Sequence, residues 1–210
     1  MKILVIRHGQ SEGDITGVIE GRYDAPLTGL GVKQAKLMAD WVAESYSIDK
    51  IFASPLKRAS GVAEILSKRI NLDVVYDDDI MEWNTGLISG LKKEEARVRY
   101  PVPELSYPHT AMYEQESNIE LRMRAETVLS RLVNENPKDS TIAIVSHGLF
   151  ICNLGYSFLR LPVTSNLVQF PIGDTGIHEW HIDGENRTVV HVNQQRHLEG
   201  LSVMELANSR

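Results

Sequence analysis

The chain has 210 residues, 42% of them apolar and 24% charged, the proportions of an ordinary soluble globular protein and far from those of disordered or fibrous sequences. Its formal net charge of −6 argues against nucleic acid as a partner, because affinity for a polyanion rests on clustered Lys and Arg. The single cysteine, Cys152, excludes an intrachain disulfide, and no apolar run approaches the length of a membrane span.

The β-branched-rich run 2–6 is closed by Arg7-His8-Gly9, the pattern of a fully buried strand entering a loop. It is too short for a signal-peptide core, so cytoplasm is the default location. The loop runs to about Thr28. Ala35, Leu37, Met38, Trp41 and Val42 then recur at helical spacing and predict a helix to about Ser45. Residues 51–53 give a second short strand. Ser54-Pro55 reads as an N-cap followed by Pro at the first helical position, opening a helix that carries Arg58 in its first turn and ends near Arg69. Residues 72–76 give a third strand.

Residues 77–113, with Pro101, Pro103 and Pro108, read as a loop-rich, lid-like excursion that reaches to about 116 and holds one short helix near 92–99. Excursions of this kind often cover sites. Ser117 to Glu120 spell a capping box for a helix that stops before Pro137. Residues 141–145 form a fourth buried strand ending in Ser146-His147-Gly148, 149–159 read as a helix, and alternation near 176–182 and 188–193 supplies later strands. Cys152 lies in an apolar stretch and reads as a small structural hydrophobe.

Strands alternating with helices predict one α/β domain over residues 1–210: a mostly parallel central sheet flanked by helices, with ligands outside the carboxyl ends of the strands. Two buried strands end there in His-Gly pairs, at His8-Gly9 and His147-Gly148. If those strands are neighbours, the imidazoles converge. A glycine after each histidine lets the backbone approach a ligand and leaves its amide free to donate, which suits a tetrahedral oxyanion. Arg7 and Arg58 complete a cationic cluster, since guanidinium groups match phosphate oxygens and stay charged. The other five histidines read as surface or core residues.

Arg7-His8-Gly9-Gln10-Ser11 resembles the signature of the histidine phosphatase superfamily, the phosphoglycerate-mutase-like group. Gly21, Asp24, Leu27-Thr28 and Gly31 through Gln34-Ala35 resemble its next block, and Ser54 through Ala59 its second phosphate-binding motif. Glu82 with Gly86 and Gly90, then Glu116-Ser117, Ser146-His147-Gly148 and the stretch 193–198 follow in family order, so the resemblance covers nearly the whole chain.

The resemblance implies a three-layer sandwich and a phosphomonoesterase acting on a small phosphorylated metabolite through a phosphohistidine. His8 would be the nucleophile, with Arg7, Arg58, His147 and Gly148 binding the phosphoryl group and Glu82 moving the proton. Gln10, Asp14, Glu20, Gly21 and Lys93 are further candidate substrate contacts. No metal or other cofactor is implied, nor any nucleic-acid or membrane partner. Homo-oligomerisation stays open.

Two alternatives stand beside this reading. Gly90-Leu91-Lys92-Lys93 resembles a segment of cofactor-dependent phosphoglycerate mutases, although the paired arginines and Pro-rich block of mutases are not matched by residues 99–103. A catalytically weak phospho-ligand-binding regulator is the other. Asp14 stands where the family usually has Asn, and Glu20 where phosphatases often carry Gln or a small polar residue. A carboxylate beside phosphate must take up a proton, or turn away and pair with a cationic group.

Overall fold

The computed structural model describes residues 1–104, 107–163 and 169–201. The elements are β1 (Lys2–Arg7), α1 (Glu12–Thr16), α2 (Gly29–Ser45), β2 (Lys50–Ala53), α3 (Lys57–Ile70), β3 (Val74–Tyr76), α4 (Lys93–Arg99), α5 (Asn118–Glu135), β4 (Thr141–Ser146), α6 (Gly148–Phe158), β5 (Ile177–Asp183) and β6 (Asn186–Gln194), with short 3-10 turns at Asp78–Ile80, Gly86–Ile88 and Arg196–Leu198. The strands form one sheet in the order β3-β2-β4-β1-β5-β6. Strands β1 to β4 pair in parallel, while β5 and β6 add an antiparallel edge.

Strand β1 has no polar face because helices cover both sides of the sheet. Ile3 and Val5 join the core built with Leu129, Leu132, Phe150 and Leu154 of α5 and α6. Leu4 and Ile6 join the opposite core, with Met38 and Val42 of α2 and Val62 and Leu66 of α3. The three layers follow from this two-sided burial. No helix among the described residues is long and apolar enough to cross a membrane.

Local details differ from the sequence reading. Residues 12–16 are helical rather than loop, because Ser11 and Asp14 cap each other reciprocally and Gly17 closes the turn in the left-handed region at φ 69°. Helix α3 starts at Lys57, not at Ser54-Pro55, and its first amide is received by the Asp24 carboxylate at 2.7 Å. Ser54 is thereby free for a different partner. The capping box of α5 forms as the sequence spells it, with Ser117 and Glu120 exchanging hydrogen bonds.

Candidate active site

Parallel pairing of β1 with β4 sets Arg7 opposite Ser146, so the next residue of each strand, His8 and His147, leaves the sheet on the same edge. Their ring centroids lie 5.2 Å apart, tilted by 56°, and the residues are 2% and 0% exposed. The His8 Nδ1 lies 2.7 Å from the Gly9 carbonyl oxygen. A carbonyl can only accept, so the proton sits on Nδ1 and Nε2 keeps its lone pair. Burial, then the Arg7 and Arg58 charges, hold His8 well below the ordinary histidine pKa. Burial, then Arg58, do the same for His147. Both imidazoles are neutral near pH 7.

His147 Nε2 contacts the Ser54 hydroxyl at 2.8 Å, which explains why this serine does not cap α3. If Ser54 donates, His147 carries its proton on Nδ1. Among the described residues, Nδ1 of His147 and Nε of Arg7 are buried with no hydrogen-bond partner, and Nε of Arg58 makes no hydrogen bond, its nearest acceptor being the Glu20 carboxylate. Buried donors left under-satisfied beside the His8 ring are what an oxyanion satisfies, since an unpaired buried donor is costly.

Arg58 is fully buried. Its Nη1 and Nη2 donate to the carbonyls of Tyr23 and Gly21 at 2.9 and 2.7 Å, and its Nε lies 3.4 Å from Glu20. Arg7 donates to the Ile172 carbonyl at 2.9 Å and lies 3.7 Å from Asp174. Asp174 also accepts from Gln34 at 3.4 Å, and burial pushes its pKa up to about 6 against the pull of Arg7. The turn Gly173-Asp174-Thr175-Gly176 before β5 was the available sequence signal for it.

Glu82 is held across the mouth of α6. Its Oε1 accepts from the amides of Trp83 and Phe150 at 2.8 and 3.0 Å, and its Oε2 from that of Leu149 at 3.1 Å. These last two are among the free amides that open the helix, and they fix the position of the carboxyl group. Arg7, His8, Glu20, Glu82 and Gly148 all line one cavity of about 620 Å³. Cys152 lines it too and is half-buried, so it is a wall residue rather than a core hydrophobe. The excursion 77–116 contributes Glu82, Trp83 and Pro108 to the lining.

The two glycines differ. A methyl group on Gly9 would sit 2.8 Å from the Gly31 carbonyl oxygen, so its smallness serves the packing of the loop on α2, whereas Gly148 faces open space.

The remaining sequence candidates separate. Glu20 reaches the cavity, and Gly21 acts through its carbonyl on Arg58. Gln10 is buried and accepts from the Thr28 hydroxyl at 2.8 Å, outside the cavity lining. Asp14 is turned back on Ser11, accepting from its amide and its hydroxyl at 2.9 Å each. Lys93 opens α4, is exposed and does not line the cavity. Ser11 has one hydroxyl proton, yet its oxygen lies 2.9 Å from Asp14 and 2.6 Å from Glu20. That single proton serves one carboxylate at a time. Burial raises the pKa of Glu20 despite the opposing pull of Arg58. Sequence reading missed Arg124, which donates to the main-chain carbonyls of Asp79, Met81 and Glu82.

Among the described residues, no three His, Cys, Asp or Glu side chains are grouped to hold a metal ion.

Residues 3–195 match the family model described as histidine phosphatase superfamily (branch 1). Over 149 residues the chain is 33% identical to the uncharacterized phosphatase PhoE of Bacillus subtilis (strain 168), covering 71% of this chain and 72% of that protein. Over 167 residues it is 30% identical to the probable phosphoglycerate mutase GpmB of Proteus mirabilis (strain HI4320), covering 77% and 76%. A crystal structure of a mutant phosphoserine phosphatase from Entamoeba histolytica in complex with phosphoserine aligns with a TM-score of 0.76 at 26% identity, covering 94% of this chain and 98% of that one.

Proposed function

Because the chain belongs to the histidine phosphatase superfamily, we propose that it is a metal-independent phosphomonoesterase that passes the phosphoryl group of a small metabolite through His8. The observation that carries this reading is the convergence of His8 and His147, at 5.2 Å between ring centroids, with under-satisfied buried donors on Arg7, Arg58 and His147, and with the Nδ1 proton of His8 engaged by Gly9 so that Nε2 keeps its lone pair.

His8 Nε2 attacks phosphorus, and the bond from phosphorus to the alcohol oxygen breaks. Arg7, Arg58 and His147 stabilise charge on the equatorial oxygens. The Glu82 carboxyl gives the departing oxygen a proton. Its carboxylate then takes a proton from water as that water attacks phosphorus, the nitrogen–phosphorus bond breaks, and inorganic phosphate leaves with His8 restored. The guanidinium groups supply the charge stabilisation that a metal ion supplies elsewhere.

A mutase must hold the substrate carboxylate during phosphoryl return. Arg7 and Arg58 are assigned to the phosphoryl group, Arg58 and His147 lie outside the cavity lining, and no further Lys or Arg among the described residues lines the cavity, which favours the phosphatase. A cytoplasmic location belongs to the same proposal.

The test is phosphate release from p-nitrophenyl phosphate in excess EDTA. Turnover unaffected by the chelator supports the reading; no turnover, or turnover that requires an added metal, refutes it.

A further inference from the structure

The cavity extends well past the phosphoryl corner. Its volume of about 620 Å³ is in the range of sites that enclose a drug-sized ligand, far beyond what a three-carbon acid fills. Away from Arg7, His8, Glu20 and Glu82, every described residue that lines it is uncharged. Trp83, Leu121, Tyr156 and Phe170 give it apolar and aromatic surface, with the Tyr156 and Phe170 rings tilted against each other at 5.8 Å between centroids. The amides of Asn118 and Asn153 add neutral polar groups.

Two nearby cations lie outside the lining and pair with carboxylates, although Nη1 of Arg122 is buried with no hydrogen-bond partner and its guanidinium sits over the Tyr156 ring at 5.7 Å. Arg122 is 2% exposed, pairs with Glu126 at 2.7 Å and donates to the Leu161 carbonyl at 2.8 Å. Arg124 is held by Glu116. Neither lines the cavity.

A carboxylate or second phosphate on the alcohol portion would leave water for a wall that offers no counter-charge, in a cavity already holding Glu20 and Glu82. Burying an unpaired charge costs far more than burying a neutral group. A ring gains from both burial and aromatic contact on the same wall. We propose that the site selects phosphate monoesters of uncharged, ring-bearing alcohols and discriminates against alcohols that carry a carboxylate or a second phosphate. This deepens the phosphatase reading and rests on it for turnover.

The test compares kcat/KM for 2-phenylethyl phosphate with that for 3-phosphoglycerate and for O-phosphoserine. All three are alkyl esters, and the first and third leave from primary carbons just as the second does. The expected preference for 2-phenylethyl phosphate is at least about tenfold over each of the others. The same esters are titrated calorimetrically into His8→Ala protein, where the expected order of affinity is the same. Equal or better kcat/KM or affinity for either carboxylate-bearing ester overturns the selectivity while leaving the phosphatase intact. Absence of turnover with every ester refutes the phosphatase reading, and the calorimetric order then decides the selectivity by itself.

Discussion

Arg124 and Glu116 form a two-point ion pair at 2.8 and 2.7 Å, and the same guanidinium donates to the carbonyls of Asp79 and Met81 at 2.7 Å and of Glu82 at 3.3 Å. One side chain of α5 thereby clamps the segment that carries Glu82. Both partners are about a tenth exposed, at 12% and 11%, so removing the carboxylate leaves a mostly buried cation. We expect Glu116→Ala to cost about 3 kcal/mol of stability, read from the urea midpoint at constant m. A loss below about 0.5 kcal/mol would mean that solvent screens the pair.

Glu82→Gln keeps one acceptor oxygen for the helix amides and removes the transferable proton. An alkyl phosphate, whose leaving alkoxide needs that proton, should lose at least about a hundredfold in the phosphorylation rate, whereas p-nitrophenyl phosphate should lose about tenfold or less. Single-turnover rates for the two esters make the comparison. Equal losses would remove Glu82 from the acid role.

The carboxylates at 14 and 20 should behave differently. Asp14 is engaged in the cap of α1, so Asp14→Asn should lower stability by about 1 kcal/mol and leave kcat/KM at pH 7 within about twofold. Glu20 lines the cavity beside Arg58. Glu20→Gln removes like charge from the phosphoryl pocket and offers Ser11 an amide donor, so kcat/KM for a simple phosphomonoester should rise about tenfold, equivalent to roughly 1.4 kcal/mol. A loss of activity in Glu20→Gln would make that carboxylate an assisting group.

Burial holds His8 and His147 well below the ordinary histidine pKa and brings His178 and His197 to about 4. As pH falls through about 6.5, the unfolded chain protonates these side chains while the native state keeps them neutral, so stability falls. Asp174, raised to about 6, and Glu20, also raised, act in the opposite sense. They are protonated in the native state first, and their contribution is lost as pH rises through the native values. Four histidines outweigh two carboxyls, so stability should rise with pH between about 4.5 and 6 by roughly 1–3 kcal/mol per unit. Urea midpoints across this range test it; a flat or falling profile would mean that some of the four histidines are charged in the native protein.

The layered fold and the convergence of His8 with His147 were legible because β1 and β4 are uninterrupted apolar runs that both end in His-Gly. Burial of such runs on both faces calls for parallel pairing, and equal register then brings the two rings together. Contacts that depend on where a loop turns were harder to read. Ser54 followed by Pro55 carries the pattern of a helix start, but the hydroxyl goes to His147 and Asp24, 33 residues earlier, takes the first helix amide. Asp14 follows Ser11 at capping-box spacing, a local signal that the resemblance to a phosphate-contacting Asn obscured. Arg124 reaches carbonyls 42 to 45 residues away, a contact that no local pattern encodes. Lys93 matched by motif alone, and α4 leaves it in solvent.

The central claim is that His8 carries the phosphoryl group. Rapid acid-free quenching of the wild type during turnover of a ³²P-labelled monoester should trap label that is lost in mild acid and retained in alkali, the behaviour of a phosphoramidate, and peptide mapping should locate it at His8. His8→Ala protein should show neither label nor turnover. Label on another residue, or turnover by His8→Ala at the wild-type rate, would contradict the account.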